Sequence, residues 1–164
     1  VGVLDGWKVC PRCGGELERQ EGRARCPACG SVYYANSAPA VEGLLERKGK
    51  VLLTKRGIEP RRGYWDLPGG FLEEGEEPLD GLRRELLEET GLEVEPLEWL
   101  GTHLEPYDNY FVLGLTWRVA ADGDPRPADD VEQLAWVGPD ELPEEMAFAH
   151  QDELLRDWAR KQHT

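Results

Sequence analysis

Two cysteine knuckles near the start constrain this 164-residue chain more than any other feature. Cys10-Pro11-Arg12-Cys13-Gly14 and Cys26-Pro27-Ala28-Cys29-Gly30 repeat one local phrase, with 12 residues between the pairs. A two-residue gap lets both thiolates of a pair point at one centre. The glycine after the second cysteine lets the backbone turn and donate N–H groups to sulfur. Two such knuckles supply four sulfurs in a tetrahedron, which suits Zn²⁺. Disulfides and a redox dithiol are the competing readings. Disulfides fit poorly with a chain whose first 30 residues hold no signal-peptide core. A redox dithiol needs no second copy. Four thiolates leave no open position on the metal, so one structural Zn²⁺ is expected. About 35 residues bury too little apolar surface to fold unaided, so the metal must supply folding free energy.

The charge divides at the same place. Residues 1–35 carry five Lys+Arg and four Asp+Glu, a net of +1, within a chain whose net charge is −14. Residues 1–35 resemble a zinc ribbon, a module that also occurs in nucleic-acid and protein binders. Residues 36–164, with the strongly acidic balance, are expected to form the second domain. Ala35-Asn36-Ser37-Ala38-Pro39 reads as the linker. An acidic chain attracts neither nucleic-acid backbone nor anionic lipid, so neither is the expected partner. No apolar run approaches the roughly 18–20 residues of a membrane span, and a cytoplasmic location is expected.

Strand and helix signals alternate after the linker. Val41–Arg47 and Val51–Lys55 flank Lys48-Gly49-Lys50 and read as a hairpin. Trp65–Leu67 reads as a strand running into a turn at Pro68-Gly69-Gly70. Leu92–Thr102, Tyr110–Ala121 and Glu132–Val137 read as further strands. Pro78–Thr90 reads as a helix, with proline in its first turn and Gly91 just past its end. A closing helix is expected at Ala149–Gln162, with Leu154, Leu155 and Trp158 on its apolar side. Such a mixture predicts an α/β/α sandwich around a mixed sheet.

The first helix lies in a run of acid: residues 73–95 hold ten of the chain's 33 acidic residues, opposed only by Arg83 and Arg84. Helical spacing puts Leu79, Leu82 and Leu86 on one face and Glu85, Glu88 and Glu89 on the adjacent stripe. Like charges three and four apart destabilise a bare helix by roughly 0.2–0.5 kcal/mol per pair, and a divalent cation reverses that sign. Hard oxygen ligands favour Mg²⁺ or Mn²⁺. A solvated acidic face is the competing reading.

The wider pattern is Gly70-x5-Glu76-x7-Arg84-Glu85-Leu86-x-Glu88-Glu89-x-Gly91-Leu92, led by Gly63-Tyr64-Trp65-Asp66-Leu67-Pro68-Gly69. It fills every specified position of the Nudix box, and the chain resembles the Nudix hydrolases. The resemblance implies metal-dependent hydrolysis of a nucleoside diphosphate linked to another group. It implies that Glu85, Glu88 and Glu89 hold Mg²⁺ directly or through water, and that Gly70 contributes its carbonyl. It also implies that Arg84 and Glu76 brace the loop and helix. Glu88 or Glu89 could act as general base, as could a residue outside the box. Glu132, ahead of Ala135-Trp136-Val137, is the outside candidate for metal or base, and an exposed strand-end charge is the equal alternative.

Other residues carry weaker signals. Arg56 and Arg62 are candidates for phosphate contact or plain surface arginines. His103 and His150 read as structural or surface residues. Tyr64, Tyr107, Tyr110 and Phe111 are candidates for base stacking or core. A zinc ribbon ahead of a Nudix domain resembles the NADH pyrophosphatases. Their Ser-Gln-Pro-Trp-Pro-Phe-Pro-x-Ser stretch after the box is absent here, where Glu93-Val94-Glu95-Pro96-Leu97-Glu98-Trp99 stands. Lys55–Gly63 looks more like a group with ADP-ribose and FAD pyrophosphatase-like members. Three functions remain: a dinucleotide or nucleotide-sugar pyrophosphohydrolase, an RNA-end or cap-processing enzyme, and a non-catalytic nucleotide-binding regulator. A regulator is expected to lack the metal-binding glutamates, and all three are present. The resemblance also implies a homodimer.

Overall fold

The computed structural model describes residues 2–163. Val1 and Thr164, the outermost positions of the two expected domains, lie outside the described residues. Two compact units divide between Ala38 and Pro39, and Pro106–Val112 groups with the first.

The first unit is built on three short antiparallel strands, β1 (Glu18–Gln20), β2 (Arg23–Arg25) and β3 (Val32–Tyr34), in the order β1-β2-β3. Each knuckle closes with a backbone hydrogen bond: Gly14 N–H to the Cys10 carbonyl at 2.9 Å, and Gly30 N–H to the Cys26 carbonyl at 2.8 Å. Both glycines have a φ of 77°, a left-handed conformation that side chains with a Cβ resist.

The second unit centres on a sheet whose main path is β10-β5-β4-β9-β8. Its strands are β4 (Ala38–Arg47), β5 (Lys50–Arg56), β6 (Trp65–Asp66), β7 (Gly69–Phe71), β8 (Glu95–Tyr107), β9 (Tyr110–Ala120) and β10 (Val131–Val137). β5 pairs antiparallel with β10, β4 and β6, and β7 pairs antiparallel with β4. β4 and β9 run the same way. Thr116 meets Glu42, and Arg47, five residues on, reaches the carbonyls of Ala121 and Gly123. The sheet is therefore mixed.

Alternation along β4 distributes its side chains to the two faces. Val41 and Leu45 join Leu82 and Leu86 of helix α1 (Pro78–Thr90) in one core cluster. Leu44 joins Leu155 and Trp158 of helix α2 (Ala149–Gln162) in the other. Gly43 lets α1 approach closely, because a Cβ there would lie 2.7 Å from Leu86 Cδ2. No helix among the described residues is long and apolar enough to cross a membrane.

Several local expectations change, the linker among them, since Ala38 and Pro39 already lie in β4. Gly69 and Gly70 are not a turn: they lie in β7, with Gly70 opposite Val41 and Gly69 opposite Glu42. Leu92–Val94 precede β8, which starts at Glu95 and runs past Thr102 to Tyr107. Gly101, at φ 124°, interrupts the alternation of β8. Leu79 is exposed, so the buried face of α1 rests on Leu82 and Leu86.

Candidate functional site

The acidic site is set by the loop, β7 and α1. Pro78 opens the helix and Gly91, left-handed at φ 71°, closes it with its N–H on the Leu87 carbonyl. Burial of Leu82 and Leu86 then fixes the azimuth of the three glutamates. Glu89 is buried, Glu85 is half-buried and Glu88 is exposed.

Arg84 organises the entrance. Its Nε and Nη2 donate to the two oxygens of Glu76 at 2.8 and 2.9 Å. Nη1 donates to Glu85 at 2.8 Å and to Glu88 at 3.2 Å, and Nη2 also reaches the Phe71 carbonyl at 3.0 Å. The Arg84 guanidinium pulls Glu76 down from 4.5 to about 2.

Glu89 receives one hydrogen bond, from Gly69 N–H at 2.9 Å. Burial raises its pKa well above the ordinary value, and the charges of Asp66, Asp130 and Glu85 push the same way. Burial likewise raises Glu85, with Glu88 and Asp129 adding to the rise against Arg84. Gly70 packs so tightly on Glu85 that a Cβ would lie 2.3 Å from its Oε2. The donor set is thus crowded, hard and anionic, with a glycine cradle at Glu85, and it fits a divalent cation. Among the described residues, the three box carboxylates do not converge to within 4.8 Å of one another; Arg84 bridges Glu85 and Glu88 instead.

Asp66, Asp129 and Asp130 were not singled out by the sequence. They come from β6 and from the loop before β10. That loop is tied to the end of α1 by Arg126 N–H on the Thr90 carbonyl and Ala128 N–H on the Glu89 carbonyl. Asp129 and Asp130 lie far along the chain from the box, so no local motif could reveal them, whereas Asp66 stands in the stretch that leads into it. Glu132 lies where the β10 register shifts, exposed, with an oxygen 3.1 Å from Arg62 Nη2. Arg56 is not a plain surface arginine: it is largely buried and pairs with Asp66 at 2.6 Å. Phe111 is exposed, whereas Tyr64, Tyr107 and Tyr110 are half-buried, and Tyr107 and Tyr110 lie ring to ring at 5.5 Å. His103 and His150 stack on each other on the α2 face of the sheet.

The four cysteines are free of disulfides, and their sulfurs all lie within 4.8 Å of one another. Cys10 and Cys29 are 3.7 Å apart, and Cys13 and Cys26 are 3.5 Å apart. The Tyr33 hydroxyl, 3.3 Å away, lowers the Cys10 thiol to about 6. Cys13 stands at about 12: the Gly15 N–H lowers it, but the crowding sulfurs of Cys26 and Cys29 outweigh that pull. Four thiols this close cannot all ionise without a cation among them, which is the chemistry of a metal-binding set.

Residues 36–158 match the model of the NUDIX domain. The chain is 32% identical over 130 residues to the ADP-ribose pyrophosphatase of Methanocaldococcus jannaschii, covering 77% of this chain and 76% of that protein. It is 30% identical over 140 residues to the NAD-capped RNA hydrolase NudC of Pseudomonas aeruginosa, covering 83% of this chain and 49% of that one. The chain thus spans about half the length of those hydrolases. The crystal structure of a NUDIX hydrolase from Nitrosomonas europaea superposes with a TM-score of 0.82 at 34% identity, over 96% of this chain and 93% of that one. The buried glutamate helix, the mixed sheet between two helices and these similarities agree: this chain belongs to the Nudix hydrolase family.

Proposed function

We propose that the chain is a Mg²⁺-dependent pyrophosphohydrolase of nucleoside diphosphates linked to another group, with ADP-ribose, FAD, NADH and nucleotide-sugars as the substrate class. One observation carries the reading: Glu89 is buried beside Asp66, Asp130 and Glu85 with a single hydrogen bond to its carboxylate. Such a site repels a diphosphate unless a cation joins it.

Glu85, Glu88, Glu89 and the Gly70 carbonyl would hold Mg²⁺ or Mn²⁺. When bound, the ion neutralises phosphate oxygens and makes a bound water more acidic. Arg84, locked by Glu76, orients Glu85 and Glu88 toward one side of the helix. Glu88 and Glu89 are the carboxylates of the box that could accept a proton from a water at this site. Glu132 remains the candidate outside the box. The four thiols hold one structural Zn²⁺, and free thiols suit a reducing compartment such as the cytoplasm. The homodimer rests on the family resemblance and on the cover that a second chain would give a ribbon too small to fold alone. Light scattering at micromolar concentration tests it, and a single 18.5 kDa species removes it.

A hydrolysis screen with Mg²⁺ over ADP-ribose, NADH, FAD, nucleotide-sugars and nucleoside triphosphates tests the reading. Turnover of a diphosphate-linked compound supports it, and turnover of triphosphates alone sinks the substrate class. Similarity to an NAD-capped RNA hydrolase favours a second reading, cleavage of NAD from an RNA end. Filter binding across salt separates the two, because RNA held through phosphates weakens steeply as salt rises.

A further inference from the structure

On the α2 face of the sheet, the chain gathers a second set of ligand-type atoms that the Nudix reading does not use. Glu42 lies on β4, His103 and Glu105 on β8, Thr116 on β9, and His150 and Gln151 in the first turn of α2. A carboxylate oxygen of Glu42 and one ring nitrogen from each histidine lie within 4.8 Å of one another. Glu42 is buried and the two histidines are half-buried.

The hydrogen bonds fix which atoms are offered. His150 Nδ1 lies 2.9 Å from Glu105 Oε1, and its Nε2 lies 2.8 Å from Glu42 Oε1. If Nδ1–H donates to Glu105, the Nε2 lone pair faces a carboxylate, and either a second ring proton or a metal ion must stand between them. Thr116 Oγ1–H donates to Glu42 Oε1 at 2.7 Å, and Gln151 Nε2–H donates to Glu42 Oε2 at 2.9 Å, so the carboxylate is held in place. A proton on His150 alone would meet the demand of that pair. It gives no reason for a second imidazole at the same carboxylate.

His103 supplies that imidazole, with Nδ1 3.9 Å from Glu42 Oε1 and 3.5 Å from Thr116 Oγ1. Two backbone features bring it there. Gly101 breaks the alternation of β8, which turns His103 to the α2 face. Gly114 then leaves room for the ring, since a Cβ at that position would lie 1.9 Å from His103 Nε2.

We propose that Glu42, His103 and His150 form a binding site for a divalent transition metal, separate from both the cysteines and the glutamate helix. Two imidazoles and one carboxylate suit Zn²⁺, Co²⁺ or Ni²⁺ and are a poor match for Mg²⁺. Glu105 is the outer partner that orients His150, as carboxylates do behind metal-bound histidines. The rings stack at 3.2 Å between centroids, 12° from parallel, with His103 Nδ1 and His150 Nε2 at 3.9 and 2.8 Å from the same Glu42 oxygen.

Co²⁺ titration of the full chain tests this, with zinc already in the cysteine site and excess Mg²⁺ present. Uptake is followed by metal analysis and by the visible bands of nitrogen- and oxygen-ligated Co²⁺, which lack thiolate charge transfer. The parent protein should take up one Co²⁺ more per chain than His103→Gln or His150→Gln, while Glu85→Gln keeps the extra ion. Glu105→Gln leaves all three ligands in place and should weaken Co²⁺ about 10–100-fold. Equal uptake by the parent and the folded histidine variants overturns the site, as does a Glu105→Gln affinity equal to the parent's. Ring-nitrogen NMR of the parent provides a readout independent of folding. Zinc should shift His103 Nδ1 and His150 Nε2, and an unchanged imidazolium at His150 overturns the proposal.

Discussion

Gly69 and Gly70 are neighbours in β7, yet they meet different atoms. A Cβ at residue 69 would lie 2.1 Å from the Val41 carbonyl oxygen, part of a backbone that cannot move without disturbing β4. A Cβ at residue 70 would meet the carboxylate of Glu85, the far end of a flexible side chain. Gly69→Ala should therefore lower the melting temperature and the yield of folded protein. Gly70→Ala should melt close to the parent while losing Mg²⁺-dependent turnover, because Glu85 is driven off its position. Glu88→Gln keeps size and removes one charge; if Glu88 is the base, turnover falls roughly 10²–10⁴-fold. Turnover and thermal melts on the four proteins check this, and parent-like turnover in both Gly70→Ala and Glu88→Gln would leave the stripe a solvated helix face. The sequence exposed these residues because the box is contiguous and its spacing is helical. Asp129 and Asp130 stayed hidden because the hydrogen bonds that tie their loop to the end of α1, not chain proximity, carry them to Glu89; Asp66 stands in the stretch that leads into the box, but its type alone assigned it no role.

At the scale of elements, both helices were legible to the residue, since proline and glycine bound α1 and apolar spacing marks α2. Strand ends were less so. β7 hides behind a Pro-Gly-Gly run that reads as a turn, and it forms because β4 offers it partners. β8 runs longer than its apolar pattern, because Gly101 shifts the alternation and an edge strand keeps polar residues on both faces. Leu86 is fully buried between α1 and β4, so Leu86→Ala should cost about 2–5 kcal/mol, with activity falling only as folded protein is lost. The Arg84–Glu76 pair gives the loop and helix an acid limit. Glu76 falls from 4.5 when unfolded to about 2 when folded. Its contribution is thus complete above the unfolded value and disappears as pH drops through that window. Glu76→Gln should shrink the loss of stability between about pH 4.5 and pH 2, measured by urea unfolding at each pH. An acid limb identical to the parent's would show that the pair does not hold the loop.

At the scale of the whole molecule, the two units differ in what holds them. The second unit has two apolar clusters, one under each helix. Among described residues 2–38, the buried side chains are Leu4, Cys10, Ala24 and Cys26, so half of that small core is sulfur. Three strands of three residues each add few backbone hydrogen bonds. Apolar burial on that scale cannot offset the conformational entropy of ordering the chain, roughly 1–2 kcal/mol per residue for backbone alone. The charge boundary and the cysteine spacing put the expected division after residue 35, whereas the first unit runs to Ala38 and takes in Pro106–Val112, a grouping that depends on tertiary structure and left no local signal. Purified protein should carry one zinc in the cysteine site. A strong chelator should erase amide-exchange protection across β1–β3, while the amides of α1, α2, β4 and β5 keep theirs. Protection that survives at β2 after the metal is gone, or freshly prepared protein with four free thiols and no zinc, would show that this unit folds on a core other than its metal.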